Sequence, residues 1–193
     1  MREIVLASTS RYRRALLDRL GLPYRAVSPK CDEEGLDLLP AETRSLALAE
    51  RKARSAAGDF PDALILGSDQ IAEIEGTALR KPGTIEAARA SLRLLSGREH
   101  RLVTAVVLLD AREGRMESAL DIARLRMRPL SDAEIENYLR REETLDCAGA
   151  YRSEGLGAAL FDWMRTDDPT GIVGLPLTRV VELLARFGVS VLA

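Results

Sequence analysis

Short apolar runs with strand character alternate with amphipathic helical stripes along this chain, and that alternation confines it to an α/β fold. Residues 3–7 (EIVLA) read as a buried strand, followed by Ser8-Thr9-Ser10, where Ser10 is placed to cap a helix. Leu16, Leu17 and Leu20 then recur at helical spacing until Gly21. Pro23 to Val27 reads as a second strand and Lys30 to Pro40 as an acidic loop. Residues 42–57 form an Ala-rich helical pattern ended by Gly58, and 63–67 (ALILG) another buried strand. A hairpin pattern over 70–80, turning at Glu75-Gly76, interrupts the alternation, so the sheet has to be mixed.

The remaining elements follow the same rules. Thr84 caps a helix whose Ile85, Ala88, Leu92 and Leu95 are predicted to face inward, ended by Gly97. Residues 101–109 and 117–128 read as paired strands joined by a polar turn from Asp110 to Arg115. In the second strand Leu120 and Ile122 share one parity and Leu125 and Met127 the other, which predicts a bulge near Ala123. Ser131 and Glu134 form a capping box for a helix through Arg141. Gly155 to Gly174 reads as mostly irregular, and Pro176 to Phe187 as the last helix, ended by Gly188. The 193 residues are read as one domain, 1–193, without repeats or linkers.

Composition excludes several functions. A net charge of −2 argues against a nucleic-acid partner recruited by bulk electrostatics, so any anion site needs a local cluster of cations. No apolar run reaches the length of a membrane span, and no signal-peptide pattern opens the chain, so no membrane partner is expected. The two cysteines, Cys31 and Cys147, form neither a CxxC pair nor a disulfide framework, which fits a reducing cytoplasm. His100 is the single histidine, which rules out a zinc site built on several. Neither GxGxxG nor GxxxxGK[ST] is present, so phosphates would have to be held by other means.

Three features carry candidate chemistry. Arg11, Arg13 and Arg14 fall in the first turn of the first helix, where the dipole disfavours cations unless an anion is bound there; solvated arginines are the alternative. Gly67-Ser68-Asp69-Gln70 follows a buried strand, where a carboxylate can hold a metal or orient water, or simply cap a turn. Lys52 and Lys81 stand in apolar contexts and suit phosphate, although most lysines are surface residues. The acidic run Asp32-Glu33-Glu34 supplies either a metal ligand or an ordinary loop. His100, Trp163 and Phe161 read as structural, and Arg124, Arg126 and Arg128 as a solvated strand face.

Taken together, LASTSRYRRALLDRLG near the start, LAERKA at 48–53, GSDQIAEIEGTALRKP at 67–82, LSGREHRLVTAVVL, LSDAEIENYL, CAGAYRSEG at 147–155 and VGLPL at 173–177 resemble the Maf family of nucleotide pyrophosphatases. The resemblance covers nearly the whole chain in order. One departure is Arg11, where the family has Pro, so the fixed φ of a first-turn proline is lost. The resemblance implies an α/β fold with a mixed, elongated central sheet flanked by helices, in two lobes around a cleft. It implies cleavage of a nucleoside triphosphate between its α and β phosphates, with Asp69 as the catalytic carboxylate. Ser8, Arg13, Arg14, Lys52 and Lys81 resemble its phosphate-binding set, and Asp69 with Glu33 its ligands for Mg²⁺ or Mn²⁺. A homodimer is also implied. At the positions where subgroups differ, Tyr12, Gln70 and Glu154 resemble the subgroup acting on 7-methyl-GTP. An aromatic face can stack on the cationic base, and a carboxylate can accept from its N–H donors. A dTTP or UTP pyrophosphatase, and a non-catalytic nucleotide-binding regulator of cell division, are the alternatives.

Overall fold

The computed structural model describes residues 2–193, and these form a seven-stranded mixed sheet with helices packed on it. In chain order the elements are β1 (Ile4–Ala7), α1 (Arg11–Asp18), β2 (Arg25–Val27), α2 (Ala41–Ala57), β3 (Leu64–Ile74), β4 (Thr77–Leu79), α3 (Ile85–Leu95) and β5 (Glu99–Asp110). They continue with β6 (Met116–Met127), α4 (Asp132–Arg141), β7 (Phe161–Arg165), α5 (Pro169–Val173) and α6 (Leu177–Arg186). The sheet order is β2-β1-β3-β5-β6-β7, with β4 paired to β3. β1 runs parallel to β2 and β3, while the β3–β4 and β6–β7 pairs are antiparallel. The interruption of strand–helix alternation by a hairpin at Glu75-Gly76 thus gives the mixed sheet the sequence predicts, with both turn residues at positive φ.

The chain divides into two compact units. The first takes in the N-terminal residues through Gln70, Thr104–Asp121 and Asp168–Ala193; the second takes in Ile71–Val103 and Ile122–Asp167. In the first unit β1 is buried along its whole length, and alternate side chains feed two cores. Ile4, Leu6, Leu64 and Leu66 pack with Leu16 and Leu17 of α1 and Val180, Leu183 and Leu184 of α6. Val5, Ala7 and Ile65 pack on the other side with Ala49, Ala53 and Ala56 of α2. Ser10 caps α1 by accepting from the Arg13 N–H, as its position predicts. Arg2 forks onto Asp110, with Nη2 2.6 Å from Oδ1, and tethers the start of the chain to the end of β5.

That fork holds the Asp110 carboxyl at about 2, below its ordinary value, the Arg2 hydrogen bond being the main cause. Because the folded value is depressed, the pair stabilises the fold fully above the ordinary carboxylate range and loses that contribution as pH falls towards about 2. Asp110→Asn is expected to cost about 2 kcal/mol at pH 7, with most of that cost gone near pH 2 and the rest lost below it, measured by urea unfolding across pH.

In the second unit His100, Tyr151 and Phe161 form an aromatic cluster, with the His100 Nε2 and Tyr151 hydroxyl 2.8 Å apart. Burial pushes the His100 imidazole down to about 4, so it is neutral at ordinary pH, in keeping with a structural role. The capping box at Ser131 and Glu134 is present.

Several expectations are corrected. The strand expected to stop at residue 67 runs on to Ile74, so Asp69 lies within β3 rather than beyond it. Burial on β6 keeps one parity through Asp121, Ala123, Leu125 and Met127, and Ile122 is 39% exposed, so the parity shift that suggested a bulge near Ala123 is absent; opposite β7 the register shifts between Arg126 and Met127. Ile85 is 38% exposed, because the first turn of α3 precedes the stretch that packs. The segment read as irregular holds a 3-10 turn at Leu156–Leu160, then β7 and α5. The arginines expected to form a solvated strand face are not simply solvated: Arg126 of β6 pairs with Glu99 and Asp162, and Arg128, just past the end of β6, with Glu134. Arg124 sits directly opposite Arg165, a like-charge cross-strand pair. Arg124→Glu is therefore expected to raise stability by roughly 0.5 kcal/mol in urea unfolding.

Candidate active site

Gly67 sets the position of the site. A Cβ built on it would lie 2.1 Å from the Ala49 carbonyl oxygen and 3.0 Å from the Ala53 nitrogen, so α2 crosses β3 at a distance that only glycine permits. One turn along α2 from Ala49 is Lys52, and two residues along β3 from Gly67 is Asp69, on the same sheet face. Lys52 Nζ is 2.6 Å from Asp69 Oδ1 and 2.9 Å from Glu33 Oε1. Lys52 and Asp69 are both buried, whereas Glu33 reaches in from a loop with its side chain 58% exposed.

A second cation lies nearby. Arg13 Nε donates to the Gly174 carbonyl at 2.9 Å, which fixes the guanidinium at the start of α1. Burial lowers the Arg13 pKa, and the charges of Asp69 and Glu33 oppose that shift, so both acids act on it. Ser8 is buried just after β1, and its Oγ accepts from the Ser10 N–H at 3.2 Å. In the first unit, then, Lys52, Asp69, Glu33 and Arg13 form a balanced cluster of two cations and two carboxylates at the start of α1 and the crossing of α2 with β3.

Gln70 points to the opposite sheet face from Asp69, as consecutive strand residues do. Its side-chain amide donates to Thr104 Oγ1 (2.9 Å) and to the carbonyls of Gly171 (2.8 Å) and Ile172 (3.1 Å). Ser68 Oγ donates to the Gly174 carbonyl at 3.1 Å. Sequence reasoning missed this support of α5, and it missed Asp168, whose carboxylate accepts from the backbone N–H groups and hydroxyls of Thr170 and Thr178. An Asp followed by Pro at the first helical position was the available signal. Tyr12 carries the Arg11 guanidinium over its ring at 5.0 Å, and Arg14 is exposed. Lys81 and Glu154 belong to the second unit: Lys81 is exposed in the turn between β4 and α3, and Glu154 lies 3.5 Å from Arg152 Nε.

The paired acids of Asp69 and Glu33 are hard oxygen donors of the kind that hold Mg²⁺ or Mn²⁺ together with substrate phosphates. Among the described residues no three His, Cys, Asp or Glu side chains are grouped as an all-protein cage, so the substrate would have to complete the coordination.

The Maf-like protein family profile matches residues 3–187. The chain belongs to the Maf family. Among its relatives, the 7-methyl-GTP pyrophosphatase of Xanthomonas campestris pv. campestris (strain 8004) is 47% identical over 190 residues, 98% of each chain. That of Polaromonas sp. (strain JS666 / ATCC BAA-500) is 47% identical, covering all of this chain and 88% of the relative. That of Chromobacterium violaceum (strain ATCC 12472) is 44% identical, covering 98% of each. Among solved structures, the Staphylococcus aureus Ham1 protein shares the fold, with a TM-score of 0.53 at 15% identity over 96% of this Maf chain and 97% of that one. Among the described residues of this Maf chain no helix is long and apolar enough to cross a membrane.

Proposed function

We propose that this chain hydrolyses 7-methyl-GTP to the nucleoside monophosphate and pyrophosphate, with Asp69 as the carboxylate that activates water. The observation that carries the reaction is the cluster in which Lys52 bridges Asp69 and Glu33 beside the half-buried Arg13. The base preference rests on relatives of 44–47% identity that are named for that nucleotide.

In this mechanism Lys52 and Arg13 bind the polyphosphate and offset the charge that builds on it as the bond to the leaving group lengthens. Lys52 donates to Asp69 Oδ1, which orients the carboxylate and leaves Oδ2 to take a proton from the attacking water. The water oxygen bonds to the α-phosphorus, and the bond from that phosphorus to the bridging oxygen breaks, releasing pyrophosphate. A divalent cation held by Asp69 and Glu33 would supply charge stabilisation on the phosphate oxygens. Ser8, Arg14 and Lys81 carry over from the family resemblance as further phosphate ligands, and Glu154 as the acceptor for the base's N–H donors. Tyr12 already accepts a guanidinium over its ring, the geometry a cationic methylguanine would take in its place. Gln70 acts on specificity by fixing the α5 backbone and by presenting its Oε1. The two free cysteines support a cytoplasmic setting.

A panel of 7-methyl-GTP, GTP, dTTP and UTP with Mg²⁺ or Mn²⁺ tests the reading. The highest kcat/KM is expected for 7-methyl-GTP; a preference for dTTP or UTP would overturn the roles given to Tyr12 and Glu154. Nucleotide binding without product, across several metals, would favour the regulator instead.

A further inference from the structure

We propose that Arg51 is the positioning residue for Glu33, holding the backbone on both sides of that acid so that its carboxylate stays at the site. The inference rests on the reading of Glu33 as an acid of the pyrophosphatase centre.

Glu33 lies in a loop without regular structure and is mostly exposed. A glutamate in such a loop gives up backbone and side-chain freedom to stay in one place, and pairs made by a half-exposed carboxylate contribute little towards that cost. One nitrogen of the Arg51 guanidinium, Nη1, donates to the Asp32 carbonyl at 3.0 Å and to the Glu34 carbonyl at 3.0 Å. The two carbonyls flank Glu33, so the arginine clamps the chain immediately before and after it. The turn is tightened by Asp32 Oδ1, which accepts from the Glu34 N–H at 2.7 Å. Farther out, the Lys30 N–H donates to Ser55 Oγ and Asp37 pairs with Arg44, so α2 anchors the loop at three places along its length.

The placement on α2 gives the clamp its use. Arg51 and Lys52 are consecutive, so the residue that fixes the loop backbone and the residue that receives the Glu33 carboxylate move as one rigid piece of helix. Charge-assisted bonds to carbonyls are stronger than neutral ones, and outer partners of this kind govern how well a carboxylate serves a metal. Arg51 touches no reacting atom and acts through Glu33.

The test uses the full chain with Arg51→Met, which keeps most of the stem and removes the donors, Arg51→Lys, which restores a donor, and Glu33→Gln. In the metal-free protein, hydrogen exchange of peptides covering residues 31–37 is expected to be about 10-fold faster in Arg51→Met, with partial recovery in Arg51→Lys and no change in peptides from α2. In turnover of 7-methyl-GTP, the Mg²⁺ concentration for half-maximal rate is expected to rise about 10-fold in Arg51→Met. In the Glu33→Gln background Arg51→Met is expected to add nothing further. Unchanged exchange in Arg51→Met overturns the clamp whether or not any nucleotide is hydrolysed. Faster exchange with an unchanged Mg²⁺ requirement, while Glu33→Gln alters it, overturns the positioning role and leaves the Glu33 assignment standing. An Arg51→Met effect that persists in the Glu33→Gln background overturns action through Glu33. No effect of Glu33→Gln at all removes the underlying reading itself.

Discussion

Asp69→Asn is expected to lower kcat on 7-methyl-GTP by about 10³-fold or more while leaving the far-ultraviolet circular dichroism unchanged. The substitution keeps the shape of the side chain but removes the charge and the proton acceptor. Loss of a general base alone costs about 10² to 10⁴ in rate. Here it also removes one of the two acids proposed to hold the metal, so the effect should fall in the upper part of that range. Folding should survive, because Lys52 keeps Glu33 at 2.9 Å and is not left as an uncompensated buried cation. Lys52→Met is the complementary change. It leaves two carboxylates facing each other without their shared partner, and it should abolish turnover while weakening the loop that carries Glu33. Wild-type rates in Asp69→Asn would remove Asp69 from the chemistry.

Gly67→Ala is expected to lower the melting temperature by about 6–12 °C and to reduce activity in the protein that remains folded. The added methyl would sit 2.1 Å from the Ala49 carbonyl oxygen, and that atom is backbone in the middle of α2, so no side chain can swing aside. Either α2 moves away from β3 or the strand bends. Overpacking of this kind costs about 3 kcal/mol, which for a chain of this size corresponds to that shift in melting temperature. Moving α2 also carries Lys52 away from Asp69, so kcat should fall even at temperatures where the variant is fully folded. Gly58→Ala is the control. It has ordinary helical φ and open space around it, and it should leave both properties near wild type. A Gly67→Ala variant with full stability and full activity would show that the close crossing does not position the site.

The elements that follow from local rules were legible in the sequence. Ser10, Thr84 and Ser131 cap the helices they precede, because a short polar side chain before an apolar stripe satisfies otherwise unpaired N–H groups. The Glu75-Gly76 turn and the strands at either end of it were legible for the same reason. The positions that depend on tertiary neighbours were not. Nothing local states that Gly67 faces a helix backbone, that Gln70 bonds α5 rather than sharing Asp69's face, or that Arg51 flanks Glu33. The continuation of β3 through Ser68-Asp69-Gln70 was hidden because polar residues in a strand look like its end. They are tolerated there because each has a partner brought by another element. Likewise Asp121 and Ile122 reversed the expected parity of β6: the charged residue is buried against Gly171 and the apolar one faces out. Arg13 was legible as a cation out of place at a helix start, and its anchoring to Gly174 explains why it stays there.

The most direct measurement is ³¹P NMR of the products formed from 7-methyl-GTP by the wild-type protein and by Asp69→Asn. Equal amounts of nucleoside monophosphate and pyrophosphate from the wild type, with neither formed by Asp69→Asn, are the predicted result. Nucleoside diphosphate with orthophosphate, or the same products at the same rate from Asp69→Asn, would contradict the assignment of this site to cleavage between the α and β phosphates.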